Sequence, residues 1–92
     1  MNKIYEAIIK SNVNEIIDII KQKWKASKEP CTYKYIIKEF RKRLPKSEEY
    51  GLKESSIERI VRLLAQKKII SRHPKEALFA PAEAWMIMEA QR

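Results

Sequence analysis

The chain has 92 residues, 45% hydrophobic and 35% charged, with a formal net charge of +8. That size suits one small domain, and the apolar content excludes a disordered chain, which would be short of Ile, Leu and Val. A lone glycine, Gly51, argues against a strand-rich fold with many turns, so the expectation is a mainly α chain.

The positive charge is concentrated in the middle. Residues 28 to 46 carry seven Lys/Arg against two Glu, and residues 53 to 75 repeat that balance. A field of this kind suits a polyanionic partner; a merely solubilising lysine-rich surface is the plainer alternative. Cys31 is the single cysteine, so no internal disulfide can form and a reducing cytoplasm is expected. The first 15 residues lack the apolar core and cleavage site of a signal peptide. No run approaches the ~20 apolar residues of a membrane span.

In chain order, residues 2 to 10 are compatible with a helix, and Ile4 and Ile8 share one side of it. Asn12 with Glu15 reads as a capping box opening a helix over 12–27. Val13, Ile16, Ile17, Ile20 and Trp24 form its apolar stripe. Residues 1–11 are either a separate short helix or the start of one long one. Lys28, Glu29 and Pro30 end this element.

Thr32 is a good N-cap for a second helix over 32–44. Tyr33, Ile36, Ile37, Phe40 and Leu44 line its apolar side, with Lys34, Lys38, Arg41 and Lys42 opposite. Pro45 stops it, and PKSEEYG forms a loop in which Glu48 and Glu49 face solvent. The third helix, 53–68, has the cleanest period: Ile57, Ile60, Val61 and Leu64 on one face, Leu63 and Ala65 at its margins. Opposite lie Ser55, Arg59, Arg62 and Gln66, a polar strip without an acid. Arg and Gln are donors that reach phosphates and base edges.

Residues 69–80 read as a β-hairpin. Ile69 and Ile70 open its first strand, a turn with Pro74 in second position carries Arg72, His73 and Lys75 at the tip, and Ala77 to Ala80 return. Pro81 suits the first turn of a C-terminal helix over 81–92. Trp85, Met86, Ile87 and Met88 are four consecutive large apolar residues that cannot all face one core. With Ile4 and Ile8 they suggest an interface (Ile4, Ile8, Trp85, Met88) between two copies of the chain, or else mutual burial within one.

This order, with TYKYIIKEFRKRL, then SSIERIVRLLAQKKIISRHP and ALFAP, resembles the winged helix-turn-helix superfamily over about residues 12–81. The resemblance implies one domain over 1–92, with extra N- and C-terminal helices. It also implies binding of double-stranded DNA, as a transcriptional regulator or chromatin-associated factor. Residues 53–68 would be the recognition helix, turning Ser55, Ser56, Arg59, Arg62 and Gln66 into the major groove. Arg72, His73 and Lys75 would form the wing against the backbone, and Lys34, Lys38 and Lys42 would touch flanking phosphates. The PKSEEYG loop departs from the tight turn of the simplest helix-turn-helix. Winged-helix domains also serve as protein-interaction subunits of replication or transcription assemblies, which is the alternative function.

Other chemistry finds little support. One Cys and one His cannot supply the four ligands of a zinc site. A Cys31–His73 nucleophilic pair would lack an orienting third group, and one glycine cannot build a phosphate loop. No enzymatic activity, metal or cofactor is expected. Tyr33 and Tyr35 could stack on bases, but Tyr33 reads as core and Tyr35 as exposed; Trp24 reads as core.

Overall fold

The computed structural model describes residues 3–90, with side chains from residue 12 onward. Within that span the chain is mainly helical, with one small antiparallel sheet. The first helix, α1, runs unbroken over Lys3–Ser27. The capping box expected at Asn12 and Glu15 does not form, because residues 3–11 are already helical. Breaking a helix and nucleating a second costs more than propagating the first. Asn12 is therefore a mid-helix residue, and it is buried. The stripe of α1 is Ile16, Ile19, Ile20 and Trp24, all buried, with Val13 and Ile17 at its edge. Ile19 belongs to the core although it lies outside the Val13–Trp24 stripe expected from the sequence.

α1 ends at Lys28, whose φ of 57° is left-handed and whose N–H donates to the Trp24 carbonyl. The extended pair Cys31–Thr32 follows as β1. Thr32 also caps α2 (Tyr33–Arg43): its hydroxyl accepts the Tyr35 N–H at 3.0 Å. Three basic residues, Arg41, Lys42 and Arg43, fill the last turn of α2, where they favour the negative end of the helix dipole.

Residues 45–51 fold into successive turns, ending at Gly51 with φ +83°. A side chain there would be strained by the backbone conformation, although space around it is open. This loop is tied down. Arg41 donates to the buried Ser47 hydroxyl and lies 3.5 Å from Glu48, so Glu48 is a paired residue on the surface.

α3 spans Glu54–Gln66 and buries Ile57, Val61 and Leu64. Leu63, expected at the margin of that face, is 43% exposed. Lys68 ends the helix with φ 60°. Its N–H donates to the Ala65 carbonyl and the Ile69 N–H to the Leu64 carbonyl, the two bonds of a Schellman motif with lysine where glycine is usual.

The hairpin forms from β2 (Ile70–Arg72) and β3 (Leu78–Pro81). Ile69 lies outside the strand and is 45% exposed. β3 is the central strand: Arg72 pairs with Phe79 on one side and Cys31 with Phe79 on the other. β1 had no signal in the sequence, since two residues carry no period. It forms because the open edge of β3 offers it a ladder.

The helix expected over 81–92 is shorter. A 3-10 turn over Ala82–Ala84 leads into α4, Trp85–Glu89. Met88 is buried with Trp24, Ala80 and Ala84 in a small cluster beside the main core. The main core joins α1, α2, α3 and the sheet through Ile16, Ile36, Phe40, Ile57, Val61 and Phe79, each fully buried. Such side chains each contribute about 1.5–3 kcal/mol through removal from water. Among the described residues no helix is long and apolar enough to cross a membrane.

Candidate nucleic-acid interface

The α3 helix packs its apolar face on the core and leaves Ser55, Arg59, Arg62 and Gln66 exposed on the opposite side, with Ser56 half-buried beside them. Positions 55, 59, 62 and 66 are spaced by three and four residues and so form one strip. Lys67 and Lys68 continue its cationic end, and both are exposed.

The β2–β3 hairpin follows directly. At its tip Lys75 is exposed, and Arg72 is exposed with its guanidinium 5.8 Å from the Phe79 ring centre. The Phe79 ring, itself buried against Tyr33 at 4.9 Å between centroids, holds the base of the hairpin on the core.

His73 does not belong with these contacts. It is buried, and its Nδ1 accepts the N–H groups of Lys75 and Glu76, each at 3.1 Å. The His73 N–H donates to the Leu78 carbonyl at 2.9 Å. The imidazole therefore closes the four-residue tip 74–77 and shapes the loop that presents Lys75. Its chemistry is that of a ring nitrogen accepting backbone donors, as Asx side chains do in turns.

The ion pairs of the described residues gather elsewhere. Arg43 holds Glu15 at 2.8 Å and Asp18 at 2.7 Å, joining α2 to α1. Lys23 pairs with Glu29, Arg41 with Glu48 and Lys42 with Glu39. Arg59, Arg62, Lys67, Lys68, Arg72 and Lys75 enter none of these pairs. Arg59 and Arg62 on the α3 strip and Lys75 at the hairpin tip thus stand outside these pairs, which suits an anion-binding surface, whereas Glu89 lines a groove with Lys68 and Arg72, so the field there is mixed.

The lysines of α2 contribute less than the sequence suggested. Lys42 is taken by Glu39 at 3.6 Å. Lys34 and Lys38 are exposed, but they border a groove that Glu54 and Glu58 also line, so the field there is mixed. Tyr33 packs on Phe79, and Tyr35 sits half-buried under the Lys23 ammonium at 5.1 Å. Neither presents a free stacking face.

Cys31 is buried in the core, and desolvation pushes its thiol up to about 11. At neutral pH it is a protonated, apolar packing residue. Burial disfavours the thiolate that a nucleophile needs. No group of three or more His, Cys, Asp or Glu among the described residues could hold a metal ion.

Of the expected interface residues, Ile4 and Ile8 have side chains outside the described residues. Met88 is contradicted as a contact surface: it is 1% exposed and packs within the chain. Trp85 is 58% exposed, beside Met86 at 68% and Ile87 at 54%. The short α4 has room to bury one of its four large side chains, and the structure buries Met88. Comparison of the chain with protein-family models, with curated proteins and with solved structures finds no match to any of them.

Proposed function

We propose that the chain is a winged-helix protein that binds double-stranded DNA without catalysis, as a regulator of transcription or a chromatin-associated factor. The observation that carries this is the exposed, acid-free strip of Ser55, Arg59, Arg62 and Gln66, followed at once by a hairpin bearing Arg72 and Lys75. The element order and the sheet order β1-β3-β2 support the winged-helix reading. In it α3 lies in the major groove, which admits one helix, and the β2–β3 hairpin rests on the backbone as the wing. Gln66 and the arginines are the base-edge donors; Arg72 and Lys75 neutralise phosphate.

The test is a fluorescence-anisotropy titration with duplex DNA over a salt series. Arg72→Ala and Lys75→Ala should weaken binding to every sequence and flatten the plot of log affinity against log salt by about one unit each. Arg59→Ala and Arg62→Ala should cost about 1–3 kcal/mol on a preferred site and less on random DNA. A folded parent that fails to bind duplex, or four folded variants that all bind as well as the parent, refutes the reading.

A second reading has its own observation. Trp85, Met86 and Ile87 form an exposed apolar run that DNA does not use. An interaction subunit gripping a larger replication or transcription protein through α4 would use it. That role becomes the stronger one if the titration shows no binding.

A further inference from the structure

His73 directly follows β2 and is 9% exposed, while Pro74, Lys75, Glu76 and Ala77 beyond it are all exposed. Its backbone N–H donates to the Leu78 carbonyl at 2.9 Å and closes the base of the tip. Its ring closes the top: Nδ1 accepts the N–H groups of Lys75 and Glu76, each at 3.1 Å. Pro74 has no N–H, so these are the first two backbone donors after His73, and one ring nitrogen takes both.

An imidazole nitrogen accepts only while it carries no proton. Two donors on Nδ1 fix the neutral ring, with its proton on Nε2. A second proton, on Nδ1, would turn the shared acceptor into a third donor. Both bonds would be lost in one step, and three N–H dipoles would point at one another. An imidazolium in that position must turn out towards water to find acceptors. Histidine is the side chain whose charge ordinarily changes between about pH 5 and 8.

The charges around the ring are of both signs. Arg72 precedes it in β2, and Lys75 and Glu76 belong to the tip. α3 and α4, which pack on β2, bring Lys68 and Glu89 to the groove that Arg72 lines. β3, Leu78–Pro81, and Thr32 of β1 bring no ionisable group, and the Cys31 thiol is protonated at neutral pH. α1 packs on β3 with Lys28 over the Trp24 ring. What separates the two states of His73 is therefore the pair of N–H bonds on Nδ1.

We infer that His73 is a proton-sensitive latch on the hairpin tip: neutral, it holds residues 74–77 closed on Nδ1; protonated, it releases them and turns towards solvent. The latch stands on these hydrogen bonds whether or not the chain binds DNA. If the chain binds DNA as proposed, the latch governs how firmly Lys75 is presented.

The experiment takes 15N-labelled full-length chain from about pH 8 to about pH 5 and reads the His73 ring nitrogens with the backbone amides of Lys75 and Glu76. At the upper end the ring should show a bare Nδ1 and a protonated Nε2. As the ring takes up its second proton, the Lys75 and Glu76 amide protons should move upfield and their heteronuclear NOE should fall. All should follow one curve and reverse on return. In His73→Asn, whose carboxamide oxygen accepts but takes up no proton in this range, both amides should hold steady. That variant keeps Glu76, so it also measures any drift from the Glu76 carboxyl. The parent carries the decisive reading, so the test does not depend on the variant folding. A ring that stays neutral down to about pH 5, Lys75 and Glu76 amides that keep their positions while the ring protonates, or the same shifts in folded His73→Asn would each overturn the latch.

Discussion

His73 shows how a residue can serve a surface without being part of it. Its sequence neighbours Arg72 and Lys75 are exposed, yet the imidazole turns inward and accepts two backbone N–H groups at 3.1 Å. Each such bond contributes about 0.5–1.5 kcal/mol. His73→Phe, which keeps an aromatic ring but no acceptor, should therefore lower stability by about 1–2 kcal/mol in urea denaturation. His73→Asn, whose side-chain oxygen can bond backbone N–H groups two or three residues on, should recover part of that loss. If the chain binds DNA as proposed, His73→Asn should leave the salt slope unchanged, since no phosphate contact is removed. A His73→Phe chain as stable as the parent would show that the ring does not hold the tip. Lys28 and Lys68 make a related point. Both take positive φ at helix ends where glycine is the ordinary choice, so local conformation there follows the helix that precedes it and not the residue's own preference.

Among the elements, the joint between α1 and α2 is the one electrostatics reinforces. Arg43 donates to both Glu15 and Asp18. Its hydrogen bond, with its charge, holds the Asp18 carboxyl below its ordinary value of 3.8, against a partly opposing desolvation. A carboxyl whose folded value is depressed contributes stability fully above its unfolded value and loses that contribution as pH falls through the folded value. The urea midpoint of the parent should thus be steady from neutral pH down to about 4 as far as Asp18 is concerned, then fall below it. Arg43→Gln should be less stable at neutral pH and should lose less on acidification, because the largest cause of Asp18's lowered value is then gone and only the smaller effects of Gln22 and Lys21 remain. An acid-induced loss identical in the two chains would remove Asp18 from the account. Both partners are part-exposed, so salt should reduce the difference.

At the scale of the whole molecule, the cationic surface and the apolar run meet at one border. Arg59, Arg62 and Lys75 lie on α3 and the hairpin tip, while Met86 and Ile87 lie exposed on α4, and Trp85 marks the border, lining one groove with Lys68 and Arg72. If the chain binds DNA as proposed, the partner that fits the apolar run is a second copy of the chain, since that would suit DNA half-sites related by a two-fold axis; a larger protein is its partner only under the second reading. Sedimentation equilibrium should then show a dimer at tens of micromolar, and Trp85→Glu should shift it towards monomer. The substitution should leave α4 docked, since Met88 and not Trp85 anchors it on Trp24. A parent that remains monomeric at high micromolar concentration refutes the dimer.

Local signals in the sequence determined the second half of α1, the helices α2 and α3 with their apolar faces, the Thr32 cap and the existence of a hairpin after α3. These rest on local physics: side chains recur on one face at helical spacing, and β-branched residues beside a Pro-containing turn favour strands. The cationic strip was readable for the same reason, because a helix with one buried face must expose the other. What the sequence could not decide depended on competition between distant segments. Asn12 looks like a cap in isolation, but in the folded chain it lies inside a continuous α1 and faces the α2–α3 turn. Cys31 and Thr32 become a strand only because β3 has an open edge. His73 turns inward because its ring nitrogen meets backbone donors two and three residues on, and Met88 is buried instead of Trp85 because Trp24, sixty-four positions earlier, offers the matching surface. Each of these was settled by the neighbours that the tertiary structure supplies, since burial and hydrogen bonding are properties of a pair of groups and a residue's own type carries only its half.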